Sequence, residues 1–280
     1  MNKLIINADD FGLCKSVNEA IIDCFLKRNL TSATLMVNTK SSEEAIELAK
    51  KYNLPIGLHF NLVRGKSLSG ISTLTDNDNN FFSRKELFKK IIKNQINPND
   101  IQKEFIAQIN FLNHENISFT HFDSDNHSHF NPLVLRVLKK YILEKNIKLR
   151  KINPLNLCNP FINLTRNVKQ IYFKLICLFF WNKNFQSNNF MTSIYDLNTL
   201  KDLKKDDYLY LINTKKKNIT LELMVHPYKD SNELSKIYKT NKEKNFVENC
   251  LKEYKILSND HGLFLEKNYQ LSNFNDFISS

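Results

Sequence analysis

Apolar and polar positions along this chain follow two periods in turn, one suited to strands and one to helices. "KLIINAD", residues 3–9, is an apolar run closing on acids, and it predicts a buried first strand. "KSVNEAIIDCFLKRN" (15–29) has helical spacing, and "TSATLMVN" (31–38) is β-branched and predicts strand two. "SSEEAIELAKKYN" (41–53) opens with Ser residues and two Glu, a good helix start. "PIGLHFNLV" (55–63) predicts strand three, and "SGISTLTDNDNN" (69–80) has no period and predicts a loop or lid. Helices are predicted around "SRKELFKKIIKN" (83–94) and "NPNDIQKEFIAQINFLNH" (97–114). "ISFTHFD" (117–123) predicts strand four, "PLVLRVLKKYILEKN" (132–146) a helix, "IKLRKI" (147–152) strand five and "ITLELMVHP" (219–227) a late strand. Strands alternating with helices imply parallel β in an α/β architecture.

Composition narrows this. A chain of 280 residues can form one α/β barrel or two small domains. No repeat or linker divides it. Only 5 glycines argue against an all-β fold with many tight turns. Five cysteines, Cys14, Cys24, Cys158, Cys177 and Cys250, lack a CxxC pair and suggest reduced thiols in a cytosolic protein. The N-terminus has acids where a signal peptide would continue its apolar run, so no secretion signal is expected.

The chemistry-bearing residues gather at the C-terminal ends of predicted strands. Asp9 and Asp10 end strand one, His59 and Asn61 lie on strand three, Asp123 and Asp125 follow strand four, and His226 ends the late strand. In parallel α/β folds that edge forms the site. Each residue alone has a plain structural reading. An Asp can cap the next helix, His59 can be a satisfied core histidine, and His226 before Pro227 can sit in a turn. Four strands supplying Asp or His to one edge favour a metal-dependent hydrolytic site. The run "THFDSDNHSHF" (120–130) adds His121, Asp123, Asp125, His127 and His129 at alternate positions, which share a face if the run begins as a strand. Carboxylates with imidazoles suit a divalent ion such as Zn²⁺, Mn²⁺ or Co²⁺. One of Asp9 and Asp10 can bind it while the other acts as base.

With "NADDFGL", "GLHFNL", "THFDS…HSH" and "LELMVHP" in this order over nearly its full length, the chain resembles the YdjC-like carbohydrate deacetylases. The resemblance implies a single domain over 1–280, a distorted (β/α) barrel of the glycoside hydrolase/deacetylase type. It implies removal of N-acetyl groups from amino sugars with one divalent metal: Mg, Zn, Mn or Co. It implies Asp9 as catalytic base, His226 as acid, and Asp10 and His59 as metal ligands. The family's third ligand is a histidine two residues after Asp123, where this chain has Asp125, so Asp125 or His127 is expected there. An Asp would make the site harder and favour Mg²⁺ or Mn²⁺ over Zn²⁺. Expected substrate contacts are Asn61, Asp123, His129, Arg150 and Glu222.

Charge bears on the substrate. The net charge is +11, and residues 136–183 hold eleven Lys or Arg against one acid, Glu144. "NLTRNVKQIYFKLICLFFWNKNF" (163–185) is apolar and basic, too short to span a bilayer, and readable either as a core helix or as an interfacial helix on an anionic membrane. The second reading favours a lipid-linked (polyprenyl-phosphate) N-acetylhexosamine in envelope or lipopolysaccharide biosynthesis. The enzyme would then be cytoplasmic and peripheral at the inner face of a bacterial membrane. A soluble chito-oligosaccharide is the alternative, and a phosphoesterase or a non-catalytic binding module the readings of another class. No nucleic-acid motif is present. A homo-oligomer is left open.

Overall fold

The computed structural model describes residues 1–156, 164–265 and 269–276. The predicted first strand is β1 (Asn2–Phe11), followed by α1 (Lys15–Leu26), β2 (Ser32–Leu35), α2 (Ser42–Tyr52) and β3 (Ile56–Phe60). Then come α3 (Arg84–Ile92), α4 (Pro98–His114), β4 (Phe122–Ser124), a 3-10 turn (Asp125–Phe130) and α5 (Pro132–Glu144). The second half holds α6 (Leu164–Phe179), β5 (Phe190–Thr192), α7 (Lys205–Ile212), β6 (Thr220–Val225), α8 (Asn232–Ile237), α9 (Asn241–Asn259) and β7 (Tyr269–Ser272).

The strands form one parallel sheet in the order β4-β3-β2-β1-β6-β5, with β7 also paired to the start of β1. It is a curled half-barrel wrapped by helices, a single domain of the expected barrel-like class. β1 lies at its centre and is buried from Leu4 to Phe11, as a parallel strand covered on both faces must be. Its neighbours bring their C-terminal ends to one edge: His59 of β3 pairs in register with Asp123 of β4, and Ala8 of β1 with Val225 of β6.

The expected fifth strand is reduced to one bridge, Leu149 with Phe122. Side chains on either side of Leu149 are drawn elsewhere. Lys148 donates to the Phe274 carbonyl at 2.6 Å, and Arg150 is fully buried among acids. The alternation expected over 120–130 also ends early, because the chain leaves β4 at Ser124 and turns. The 69–80 segment is a loop, as expected, closed by bridges Lys66–Asn80 and Thr75–Phe81. Cys14, Cys24, Cys177 and Cys250 are free thiols, and Cys158 lies outside the described residues.

Gly57 of β3 is required by close approach. A Cβ there would lie 2.5 Å from the His121 ring and 2.8 Å from Thr34 Cγ2. Gly57→Ala is expected to destabilise the protein by about 1–3 kcal/mol, as overpacking does. Chemical denaturation measures this, and an unchanged midpoint would contradict the packing.

Candidate active site

Adjacent residues of a regular strand point to opposite faces, so Asp9 and Asp10 should not share a site. A bulge resolves this. The register of β1 against β2 shifts between Ala8 and Phe11, and Asp10 takes a left-handed backbone, φ 67°. Such a bulge re-aims a side chain beside an active site. Asp9 and Asp10 thereby reach two adjoining clusters that share His59.

The first cluster is organised by Arg150, whose side chain is wholly buried. Its Nη1 and Nη2 donate to Asp9 Oδ2 and Oδ1 at 2.7 and 2.6 Å. Nε donates to Glu222 Oε1 at 2.7 Å, and Nη1 lies 2.7 Å from Asp123 Oδ2. One guanidinium thus serves three carboxylates. Burial raises Asp9's pKa, but Arg150 together with His59 and His226 outweighs it and holds Asp9 well below the usual carboxylate range. Glu222 is pushed up to about 7, since burial there exceeds the pull of Arg150. Its Oε2 is buried without a hydrogen-bond partner among the described residues.

The second cluster adjoins the first through His59. His59 Nδ1 lies 2.7 Å from Asp123 Oδ1, and Thr34 Oγ1 donates to Asp123 Oδ2 at 3.0 Å. These contacts fix the ring so that Nε2 faces Asp10 Oδ1 at 3.4 Å. Tyr228 donates a short hydrogen bond to Asp10 Oδ2. Asp125 completes the group, its Oδ2 accepting from Arg64 Nε at 2.8 Å.

Two triads have ligand atoms within 4.8 Å of one another: Asp9–His59–Asp123 and Asp10–His59–Asp125. A guanidinium contacts both carboxylates of the first triad, Asp9 and Asp123, but only one, Asp125, of the second, so the first is the poorer cation site. The second fits one. Two ligands held at about 2.1 Å in tetrahedral geometry lie about 3.4 Å apart, the distance between His59 Nε2 and Asp10 Oδ1. The Nδ1 contact to Asp123 is the outer partner that metal-binding histidines ordinarily have. The two clusters together hold five carboxylates (Asp9, Asp10, Asp123, Asp125, Glu222) against two guanidinium groups (Arg64, Arg150), a balance that favours a bound cation.

His226, 8% exposed against 2% for Asp9, is the more accessible of the two. Its Nε2 lies 3.9 Å from Asp9 Oδ2, and its ring is flanked by Tyr195 and Phe246. Its Nδ1 is 3.8 Å from Glu253 Oε2, too long for a hydrogen bond, while its backbone N–H donates to that oxygen at 2.9 Å. Burial pushes Glu253 up to about 7 against the pull of His226. A carboxyl raised on folding binds its proton more tightly in the native state. Its contribution is therefore full below about pH 4.5 and is lost as pH rises through about 7. Glu253→Gln is expected to gain thermal stability relative to the unmodified protein between about pH 5 and pH 8. A difference in melting temperature independent of pH would contradict this.

The other expected residues lie as follows. Asn61 accepts from the backbone N–H groups of Val63 and Arg64, each at 3.0 Å, and shapes the loop after β3. His129 Nδ1 lies 2.6 Å from Ser124 Oγ, and its Nε2 3.1 Å from the Arg150 carbonyl, so its ring is engaged within the fold. His127 takes a left-handed backbone (φ 57°), joins neither triad, and packs edge-on to Phe173. His121 stacks on Phe274. Arg64, Tyr228, Glu253 and Thr34 were not anticipated. Arg64 and Tyr228 follow strand ends as the expected residues do, in "NLVRG" and "VHPY", and the same edge rule would have found them. Nothing in the sequence marks Glu253, which reaches His226 from α9.

Residues 3–262 match the family model described as YdjC-like protein. A carbohydrate deacetylase of Clostridium beijerinckii is 31% identical over 282 residues, 98% of this chain and 99% of that protein. A chitooligosaccharide deacetylase of Yersinia enterocolitica is 36% identical over 149 residues, 52% of this chain and 58% of that protein. Among solved structures, an Enterococcus faecalis protein described as a cellobiose-phosphate cleavage protein superposes with a TM-score of 0.75 at 21% identity, covering 98% of both chains. That likeness bears on the fold.

Proposed function

This chain belongs to the YdjC-like family, and on that premise we propose that it is a metal-dependent hydrolase removing the acetyl group from an N-acetylated amino sugar. The observation carrying this reading is the buried Asp10–His59–Asp125 triad beside an Arg150-held Asp9 and His226. Asp10, His59 and Asp125 would hold a divalent ion, which would supply Lewis acidity to water and to a carbonyl. Asp9, oriented by both arms of Arg150, takes the proton of the attacking water. His226 gives a proton to the amine nitrogen as the C–N bond breaks. Acetate and a free amine leave. Arg150, Asp123 and Glu222 are fully buried and position Asp9 and His59 rather than touching sugar. Tyr195 and Phe246 beside His226 offer flat walls for a sugar ring.

Asp125 stands where the family has histidine, so two carboxylates and one imidazole meet the ion. That donor set favours Mg²⁺ or Mn²⁺ over Zn²⁺. Asp125→His is expected to shift relative affinity towards Zn²⁺ by at least about tenfold. Metal titration of chelator-stripped protein measures it, and an unchanged order of affinity would remove Asp125 from the ligand set.

The amino sugar we propose is linked to polyprenyl phosphate and met at the cytoplasmic leaflet. No helix among the described residues is long and apolar enough to cross a membrane. The support is α6, whose outer face exposes Val168, Ile171, Leu175, Leu178 and Phe179 beside Lys169 and Lys174, with no acid in the helix. Basic residues beside exposed apolar ones suit an anionic membrane surface. A soluble chito-oligosaccharide is the second reading, favoured by the name of the Yersinia relative. Acetate release from undecaprenyl-phosphate-linked N-acetylhexosamine against N,N′-diacetylchitobiose decides between them. Release from the lipid-linked sugar alone supports the first, and release from chitobiose alone the second. Phosphate release without acetate would replace both with a phosphoesterase.

A further inference from the structure

A second cavity, outside the triads, lies between α3, α6 and the turn after Asp125. Its volume is about 150 Å³, below the ~300–1,000 Å³ of pockets that enclose a whole ligand. It has room for a headgroup. Arg84, His127 and Lys169 line it with Phe88, Tyr172 and Phe173, and no acid is among its lining residues. Among the described residues, His127 Nδ1 is buried without a hydrogen-bond partner, and Arg84 donates to the neutral Asn126 Oδ1 at 3.2 Å. The Lys169 ammonium sits over the Phe173 ring at 5.4 Å, and burial, with Arg166 and Arg84 nearby, pushes its pKa down to about 8. Cations gathered in a partly apolar hollow are suited to an anion.

The surroundings say what the anion is joined to. Phe88 and Tyr172 line the cavity and are also partly exposed, so the outer faces of α3 and α6 meet at its mouth. From there apolar side chains continue along α6 at helical spacing to Leu178 and Phe179, 73% and 70% exposed. Ile92, 73% exposed, continues them on α3. A cationic hollow opening onto an apolar stripe complements a molecule with a charged head and a long hydrocarbon chain.

We propose that this cavity binds the phosphate of an isoprenoid or alkyl phosphate through Arg84, His127 and Lys169, with the chain lying on the exposed stripe of α6. Its place in the reaction rests on the lipid-linked reading above, since Asn126 and His127 directly follow Asp125 and join the cavity to the site. The binding itself does not depend on catalysis. Residues of a phosphorylated lipid in a membrane and of a free amphiphile share this chemistry.

The sole tryptophan, Trp181, reports on occupancy, because its ring lies 5.3 Å from Phe130, which lines the cavity. Metal-free protein is titrated with farnesyl phosphate, farnesol and inorganic phosphate, following Trp fluorescence and calorimetric heat. Farnesyl phosphate is expected to bind at least about tenfold more tightly than either part alone, and Lys169→Gln to weaken it by about 10–100-fold, the worth of a charged hydrogen bond. Leu175→Asn, a change at a 46% exposed position whose fold is checked by circular dichroism, is expected to weaken farnesyl phosphate but not inorganic phosphate. Vesicles of phosphatidylcholine with and without farnesyl phosphate separate the sources: binding that needs the phosphate ester and Lys169 supports the cavity in a membrane. Binding to phosphatidylglycerol vesicles that Lys169→Gln does not alter would overturn it in favour of a general anionic surface. Concentration-dependent dimerisation abolished by Leu175→Asn, without farnesyl phosphate binding, would overturn it in favour of a subunit interface. Absent binding with acetate release intact refutes the cavity and leaves the deacetylase standing. Binding intact without acetate release does the reverse.

Discussion

Asp9→Asn is expected to lower acetate release by about 10²–10⁴-fold, the usual contribution of a positioned general base, while metal affinity stays close to that of the unmodified protein. The separation of the two effects follows from the geometry. Asp9 is saturated by Arg150, both oxygens accepting at 2.6–2.7 Å, whereas the ion's candidate ligands are Asp10, His59 and Asp125. Asn keeps the shape and one acceptor but cannot take a proton from water. Single-turnover acetate release and metal titration on the same preparation test this. Loss of metal binding along with activity would place the ion in the Asp9–His59–Asp123 triad instead, and full activity would remove Asp9 from the chemistry.

Arg150→Met carries the largest expected cost in stability. Arg150 is wholly buried against Asp9, Asp123 and Glu222. Removing one partner of a buried ion network leaves uncompensated charge and costs about 3–5 kcal/mol. Here three carboxylates lose their shared counter-charge, so the upper end applies. The loss should shrink on acidification, because the orphaned acids are relieved by protonation, Glu222 first since burial already raises it to about 7. Arg150→Lys keeps the charge but not the planar fork that reaches three acids at once, and falls between. Urea unfolding at pH 7 and pH 5 measures all three proteins. A loss in Arg150→Met that grows at pH 5 would contradict the account of the network.

What could be read from the sequence follows from how local each signal is. β1, β2, β3 and β6 and the helices α1 to α5 are regular enough for periodicity to mark them, whereas α7, α8 and α9 are not among the predicted elements. β5 and β7, "FMT" and "YQLS", are too short to show alternation, and their pairing with β6 and β1 is made by residues far along the chain. The fifth strand was expected from "IKLRKI", whose composition suits a strand, but Arg150 is drawn into the half-barrel by acids from three other strands. The edge rule for parallel sheets brought Asp9, Asp10, His59, Asp123 and His226 to one place. It does not contain the bulge at Asp10, a single left-handed residue on which the separation of the two clusters depends. Nor does it show that Arg150 donates to both carboxylates of one triad. The even spacing of His127 and His129 with Asp125 suggested a shared face, yet the turn after Ser124 sends His127 to the second cavity and His129 into the fold.

The most direct test of the central claim is acetate release from N-acetylated amino sugar by chelator-stripped protein, before and after addition of Mg²⁺, Mn²⁺ or Zn²⁺. The account predicts no release from the stripped protein, restoration by an added divalent ion, and no restoration in Asp10→Asn. Release that survives chelation undiminished, or an Asp10→Asn protein restored as fully as the unmodified one, would contradict a metal-dependent deacetylase built on Asp10, His59 and Asp125.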